Sequence, residues 1–196
     1  MEQTALAALS AFAVVTSITP GPNNMMLMAS GANFGLRRTV PHALGVGIGF
    51  TLMIVLVGIG LMELFTLFPV LNIALKVVSV VYMLWLAWKI ANAAAPSDDG
   101  NPGGKPMSFF QAVLFQWVNP KAWSMALTAI ALYAPDRNFA AVLLVAAIFG
   151  VINLPSTSLW AVMGLSLRGW LSSPQRLRLF NWTMAVLLVG SLALLI

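Results

Sequence analysis

The sequence predicts an all-α integral membrane protein of six transmembrane helices. They form two inverted halves of three, and the first helix of each half is broken. Three observations predict this. The chain is 60% hydrophobic and 8% charged, whereas a soluble domain carries about 25% charged residues. Its 196 residues leave room for five or six apolar runs of about 20 residues, the length that a hydrocarbon core of about 30 Å requires. Two of those runs are interrupted at matching places, by Thr19-Pro20-Gly21-Pro22-Asn23-Asn24 and by Gln116-Trp117-Val118-Asn119-Pro120-Lys121.

Span 1 is expected from about Leu6 to Met28, through the first break, and is read as a retained span. Glu2 stands where a cleavable signal carries basic residues. A connection from Gly31 to Thr39 carries Arg37 and Arg38. Span 2 is expected from about His42 to Met62, with Pro41 suited to its first turn. Its Gly45 and Gly49 have the spacing that lets a second backbone approach closely. Span 3 runs from Pro69 to about Ala91, with Lys76 inside it. Tyr82, Trp85 and Trp88 precede Lys89 near its end, as an interfacial belt would.

Residues 92–106 are rich in Pro, Gly and Asp and form a linker between the halves, which cover 1–91 and 107–196. Span 4 is expected from about Ser108 to Tyr133, through the second break. Asp136 and Arg137 mark a turn. Span 5 covers about Asn138 to Leu165, with Asn153 and Pro155 as a third polar interruption. Span 6 covers about Leu177 to Ile196.

Arg37, Arg38, Lys89, Lys105, Arg168, Arg176 and Arg178 fall in connections on one side, and Arg137 alone on the other. The bias of positive charge towards the cytoplasm makes the first side internal and places both termini outside. Three spans, a linker and three spans then enter the membrane in opposite directions. Broken helices at corresponding positions of such halves point to a transporter site.

The chemistry of a break follows from proline. It lacks an amide and clashes with the carbonyl four residues earlier. Pro20 and Pro22 are therefore expected to release the carbonyls of Thr16 and Ile18, and Pro120 that of Gln116. Unsatisfied backbone cannot face hydrocarbon, so it must face protein or a wet cavity. The restarted helix presents amides that suit a carboxylate, while released carbonyls suit an ammonium. A zwitterionic amino acid needs both. Thr19, Asn23, Asn24, Gln116 and Asn119 add uncharged hydrogen bonding, and Gly21 adds room. Asn153 is expected to line the same cavity.

Lys121 is expected near mid-depth of span 4, where a lysine costs on the order of 2.5–3.5 kcal/mol. It fits a counter-charge for a substrate carboxylate or a proton carrier. Lys76 is shallower and suits coupling or snorkelling equally. Glu63, at the outer end of span 2, is a further candidate for coupling, though it also suits a solvated surface. His42 reads as an interface residue.

Thr-Pro-Gly-Pro-Asn-Asn in span 1, Asn-Pro-Lys in span 4 and Tyr82 in span 3 together resemble the LysE/RhtB family of amino-acid exporters. The resemblance covers essentially the whole chain and extends to its cysteine/O-acetylserine exporter branch through the Gly-Phe and Gln-Trp-Val-Asn pattern. It implies efflux driven by the proton motive force across a bacterial inner membrane. The family's motifs carry over to Pro20, Gly21, Pro22 and Asn23, to Asn119, Pro120 and Lys121, and to Lys76. Many members carry an acid after the glycine in span 2, where this chain has Gly49-Phe50-Thr51. Without a carboxylate at mid-depth a basic side chain lacks a counter-charge, so small neutral amino acids are the expected substrates.

Expected partners are the lipid bilayer, the amino acid and protons. The glycine faces permit a homodimer but equally serve internal packing. The +5 net charge is scattered through connections, so it marks topology and no nucleic-acid surface. No cofactor is expected, and with no cysteine and one histidine a metal site lacks ligands. Serine-type or aspartyl catalysis lacks a placed base or a buried aspartate pair, so no enzyme is expected. An uncoupled channel or facilitator for small polar solutes is the alternative.

Overall fold

The computed structural model describes residues 2–93 and 105–194; most of the expected linker lies outside them. The described residues are helical, with no strand. Helix α1, Gln3–Ile18, and helix α2, Pro22–Phe34, meet at a 53° bend. The intervening backbone is extended because Thr19 and Gly21 each precede a proline, which disfavours the helical region. Pro22 then opens α2 as its first helical residue, where a missing amide costs nothing.

Gly35, at φ 76°, makes the whole connection to helix α3, Leu36–Leu56. The expected connection from Gly31 to Thr39 is therefore shorter, and Pro41 lies inside α3 and not in its first turn. A left-handed glycine turns the chain within one residue. Ser30 and Thr39 hydroxyls meet across the turn at 2.8 Å, which satisfies both at little backbone cost. A wide turn over Val57–Leu61, with Gly60 at φ 114°, joins α3 to helix α4, Met62–Leu67. Helix α5 spans Pro69–Ala91.

Helix α6, Phe109–Phe115, starts at a capping box between Ser108 and Gln111. A tight turn over Gln116–Val118 leads to Asn119, extended ahead of Pro120, which opens helix α7, Pro120–Tyr133. Helix α8 runs unbroken over Phe139–Leu167, through Pro155. The expected third interruption is thus absent: Pro155 removes one amide, the one that would bond the Val151 carbonyl, and the ladder on either side continues. Helix α9 spans Pro174–Gly190.

Among the described residues, Leu36–Leu67, Pro69–Ala91 and Phe139–Leu167 are long and apolar enough to cross a membrane, and the bent pair α1–α2 makes a fourth. Side chains such as Val77, Val81, Trp88 and Val151 stand exposed on these helices. An apolar surface on that scale is stable against lipid and not against water.

Phe50, Met53, Ala126 and Phe149 form one core where α1, α3, α7 and α8 meet. Met26, Met83, Phe115 and Leu188 form a second, among α2, α5, α6 and α9. Glycines set the closest crossings. A methyl at Gly31 would overlap the Ala161 carbonyl, and one at Gly164 would overlap that of Met28, so α2 and α8 touch backbone to backbone. Gly45 and Gly49 receive α6 in the same way, so this glycine face is used within the chain.

Candidate functional site

The two breaks meet. Lys121 Nζ, from the second, donates to the Thr19 carbonyl at 2.6 Å, the Thr19 hydroxyl at 2.8 Å and the Pro20 carbonyl at 3.3 Å. Asn23 and Gln116 exchange hydrogen bonds between the breaks, with Asn23 Nδ2 donating at 2.8 Å and Gln116 Nε2 at 3.2 Å. Gln116 is fully buried, and its Nε2 also donates to the Ala112 carbonyl, so its amide is held in one orientation. Asn24 Nδ2 donates to the Ser17 and Thr19 carbonyls, each at 2.8 Å, and pins the end of α1 to the start of α2.

Gly21 is required by close approach. A methyl there would lie 2.5 Å from Lys121 Cδ and 3.2 Å from Nζ, so the lysine passes directly over a bare backbone. The Asn119 side chain accepts from the Lys121 amide at 3.1 Å. Pro22 and Pro120 shape the helix starts and donate nothing.

A cavity of about 30 Å3 lies between the breaks, lined by Ser17, Asn24, Phe50, Asn119, Lys121 and Asn153 among others. That volume holds a water or two and no amino acid. Among the described residues Lys121 is the one charged group in its lining, with no carboxylate to offset it. The Ser17 hydroxyl is buried without a partner, and among the described residues Asn153 makes no side-chain hydrogen bond.

Three expectations change. The carbonyls of Thr16, Ile18 and Gln116 are not free. They accept from the Thr19 hydroxyl at 3.0 Å, the Trp160 indole at 3.2 Å and the Asn119 amide at 3.3 Å. The acceptors turned towards Lys121 are those of Thr19 and Pro20, since the extended backbone rotates them out of the helical ladder. Second, α7 does not restart with all its amides bare, because Asn119 caps one of them. In α2 the first helical bond is that from Met25 to the Gly21 carbonyl, so the Asn23 and Asn24 amides precede the ladder. Third, His42 is buried within the protein and does not open its helix, because α3 begins six residues before it.

The remaining candidates lie apart. Lys76 is exposed on α5 and does not line this cavity. Glu63 is exposed and pairs with Arg137 at 2.7 Å at the far end of α3 and α7. Sequence reasoning missed Ser17, Phe50 and Met125. Ser17 had a signal, since the buried face of α1 reads Leu9, Ala13, Ser17 at four-residue spacing and ends in a hydroxyl.

The sequence profile of the LysE type translocator family matches residues 14–196. The cysteine/O-acetylserine efflux protein of Klebsiella pneumoniae is 31% identical, over 96% of this chain and 95% of its own. The proteins of that name from Salmonella typhimurium and Escherichia coli K12 are 29% and 28% identical, over 81% and 84% of this chain and 82% and 84% of their own. No solved structure matches. Two proline breaks joined through a half-buried lysine, and a family match over nearly the whole length, lead to one statement: the chain belongs to the LysE type translocator family, as a transporter and not an enzyme.

Proposed function

We propose that this protein exports small neutral amino acids or their derivatives, of the cysteine, O-acetylserine, threonine and homoserine class, driven by the proton motive force. The observation that carries the reading is Lys121, whose ammonium rests on the carbonyls of Thr19 and Pro20 in a polar cavity without a carboxylate. Those carbonyls form the natural seat of a substrate ammonium. In the empty protein the lysine occupies it.

A zwitterion resolves the competition. Its ammonium takes the Thr19 and Pro20 carbonyls and displaces Lys121, which gives its proton to the cytoplasm. The neutral lysine then turns to the carboxylate as a donor, so the loaded carrier leaves without the proton that the empty one brings in. The Asn23 and Asn24 amides, at the positive end of α2, assist the carboxylate. A basic amino acid would add a second cation with nothing to offset it, which is costly at low dielectric. Because the cavity holds only a water or two, binding requires the helices around the breaks to part, as alternating access does.

The reading takes six crossings, α1–α2, α3–α4, α5, α6–α7, α8 and α9, of which α1–α2, α3–α4, α5 and α8 are long and apolar enough to span. Glu63 meets Arg137 at one end, and Gly35 lies beside Arg168 at the other. Arg37, Arg38, Lys89, Arg168, Arg176 and Arg178 then share the cytoplasmic side, and both termini face the periplasm. Lys121 is the proposed proton carrier, since Lys76 and Glu63 stand outside the cavity.

The test is uptake into proteoliposomes under an imposed pH gradient. Labelled cysteine, O-acetylserine, threonine, homoserine and lysine are compared, with Lys121→Ala in parallel. Gradient-dependent transport of a small neutral substrate, lost in the variant, is expected. Lysine as the best substrate would overturn the assignment of substrate class, and transport indifferent to the gradient would overturn the coupling.

A further inference from the structure

A second cavity, of about 730 Å3, lies at the end of the molecule that carries Lys89. It is large enough for an amino acid with its hydration water. Its lining includes Ser30 of α2, His42 of α3, Tyr82 and Lys89 of α5, and Asn181 of α9. Two of these are buried polar groups with unmet hydrogen bonds. His42 is 1% exposed, and among the described residues neither ring nitrogen has a partner. Asn181 is also 1% exposed; its Nδ2 donates to the Ala93 carbonyl at 3.1 Å, and its Oδ1 has no partner.

Buried polar groups are ordinarily satisfied, and these orphaned atoms lie just beneath the cavity wall with almost no surface open to it, so a polar ligand reaches them once the side chains that cover them part. Neutral imidazole supplies one donor and one acceptor, and the Asn181 oxygen supplies another acceptor. Lys89, whose ammonium lies 4.8 Å above the Trp85 ring, supplies a cation. Among the described residues no carboxylate lines the cavity. Acceptors for an ammonium beside a cation for a carboxylate match a zwitterion.

The two cavities lie along the same helices. On α2, Asn23 and Asn24 border the central cavity, while Ser30 and Asn33 border this one. Gln111 of α6 borders this one, and Gln116, in the turn just past α6, holds Asn23 beside the other. Met26 and Phe115 pack between them in one apolar cluster.

We propose that this vestibule is a loading subsite for a small zwitterionic amino acid. Lys89 takes the carboxylate, and His42 and Asn181 take the ammonium and the polar side chain. The site rests on the export reading above, and it is filled before substrate passes Met26 and Phe115 to reach the breaks.

The chain has no cysteine, so a single Asn33→Cys places one thiol in the vestibule. The Asn33 side chain bonds only the Ala29 carbonyl of its own helix, so the replacement is mild. The rate of its modification by a cationic methanethiosulfonate is measured in nanodiscs, with and without O-acetylserine. At saturating O-acetylserine the rate is expected to fall about fivefold or more. The protection should persist with Lys121→Ala and vanish with His42→Leu or Asn181→Leu. His42→Gln, which keeps a donor and an acceptor, should restore it and also reports that loss in the leucine variant is not misfolding. Protection that survives both leucine variants, or that disappears with Lys121→Ala, would overturn the subsite. Gradient-driven transport of O-acetylserine without protection would overturn the subsite alone. Absence of both would overturn the export reading as well.

Discussion

Gly21→Ala isolates the contact between the breaks. The new methyl would lie 2.5 Å from Lys121 Cδ, and the flexible end of the lysine yields before the backbone does. The ammonium is then pushed off the Thr19 and Pro20 carbonyls, which it reaches at 2.6 and 3.3 Å. Gly21 has an extended backbone, φ −177°, which alanine adopts freely, so no conformational strain enters. Losing one charge-assisted hydrogen bond costs about 1.5–3 kcal/mol, which is about 10- to 150-fold in an equilibrium or rate. Stiffening the unfolded chain returns about 0.4–1 kcal/mol. The expected result is a fold weakened by about 1–2 kcal/mol, and gradient-driven uptake of O-acetylserine reduced at least tenfold. A double-mutant cycle separates the cause. In a Lys121→Ala background the methyl meets no lysine, so Gly21→Ala should stabilise the fold by about 0.4–1 kcal/mol, the unfolded-chain gain alone. Equal cost in both backgrounds would refute the contact as the reason for the glycine.

Other perturbations have equally direct outcomes. Gln116→Leu leaves the Asn23 amide without its partner and should cost about 1–3 kcal/mol in denaturant unfolding, with transport impaired because the breaks lose their register. Gly164→Val drives a side chain into the Met28 carbonyl. It should lower the yield of monodisperse protein severely, since backbone cannot yield as a side chain can. Glu63→Gln breaks an ion pair whose partners are 72% and 43% exposed. Stability should change by less than about 1 kcal/mol, and transport should hold near the parent rate. Lys76→Met, on the exposed face of α5, should likewise retain transport; its loss would return Lys76 to the coupling machinery.

Much of this architecture was legible because proline writes its constraint into its neighbours. Thr19, Gly21 and Asn119 are extended for the same reason, and each break could be placed to the residue. The polar groups around them were legible too, since amides and a lysine have no other reason to sit in apolar runs. Hydrogen bonds across the fold were not legible. Nothing near Ile18 announces that an indole from Trp160 satisfies its carbonyl, or that a lysine a hundred residues away seats itself on Thr19. Pro155 misled because a single proline in a long helix is tolerated where the neighbouring turns hold. His42 misled because proximity to Pro41 suggested a helix start, whereas the turn at Gly35 had already begun the helix. Phe50 and Met125 carry no sequence signal for a cavity lining, since they look like any other core residue.

The lysine seated on the first break has a bearing on salt. Clustered backbone carbonyls at the end of a helix are also good ligands for sodium or potassium. A tethered ammonium that never leaves the protein denies them that seat, whatever their concentration. The empty carrier would then return across the membrane without an inorganic ion for company. Export by such a protein should proceed equally well in sodium, potassium or choline buffers, and the idle protein should leak none of them.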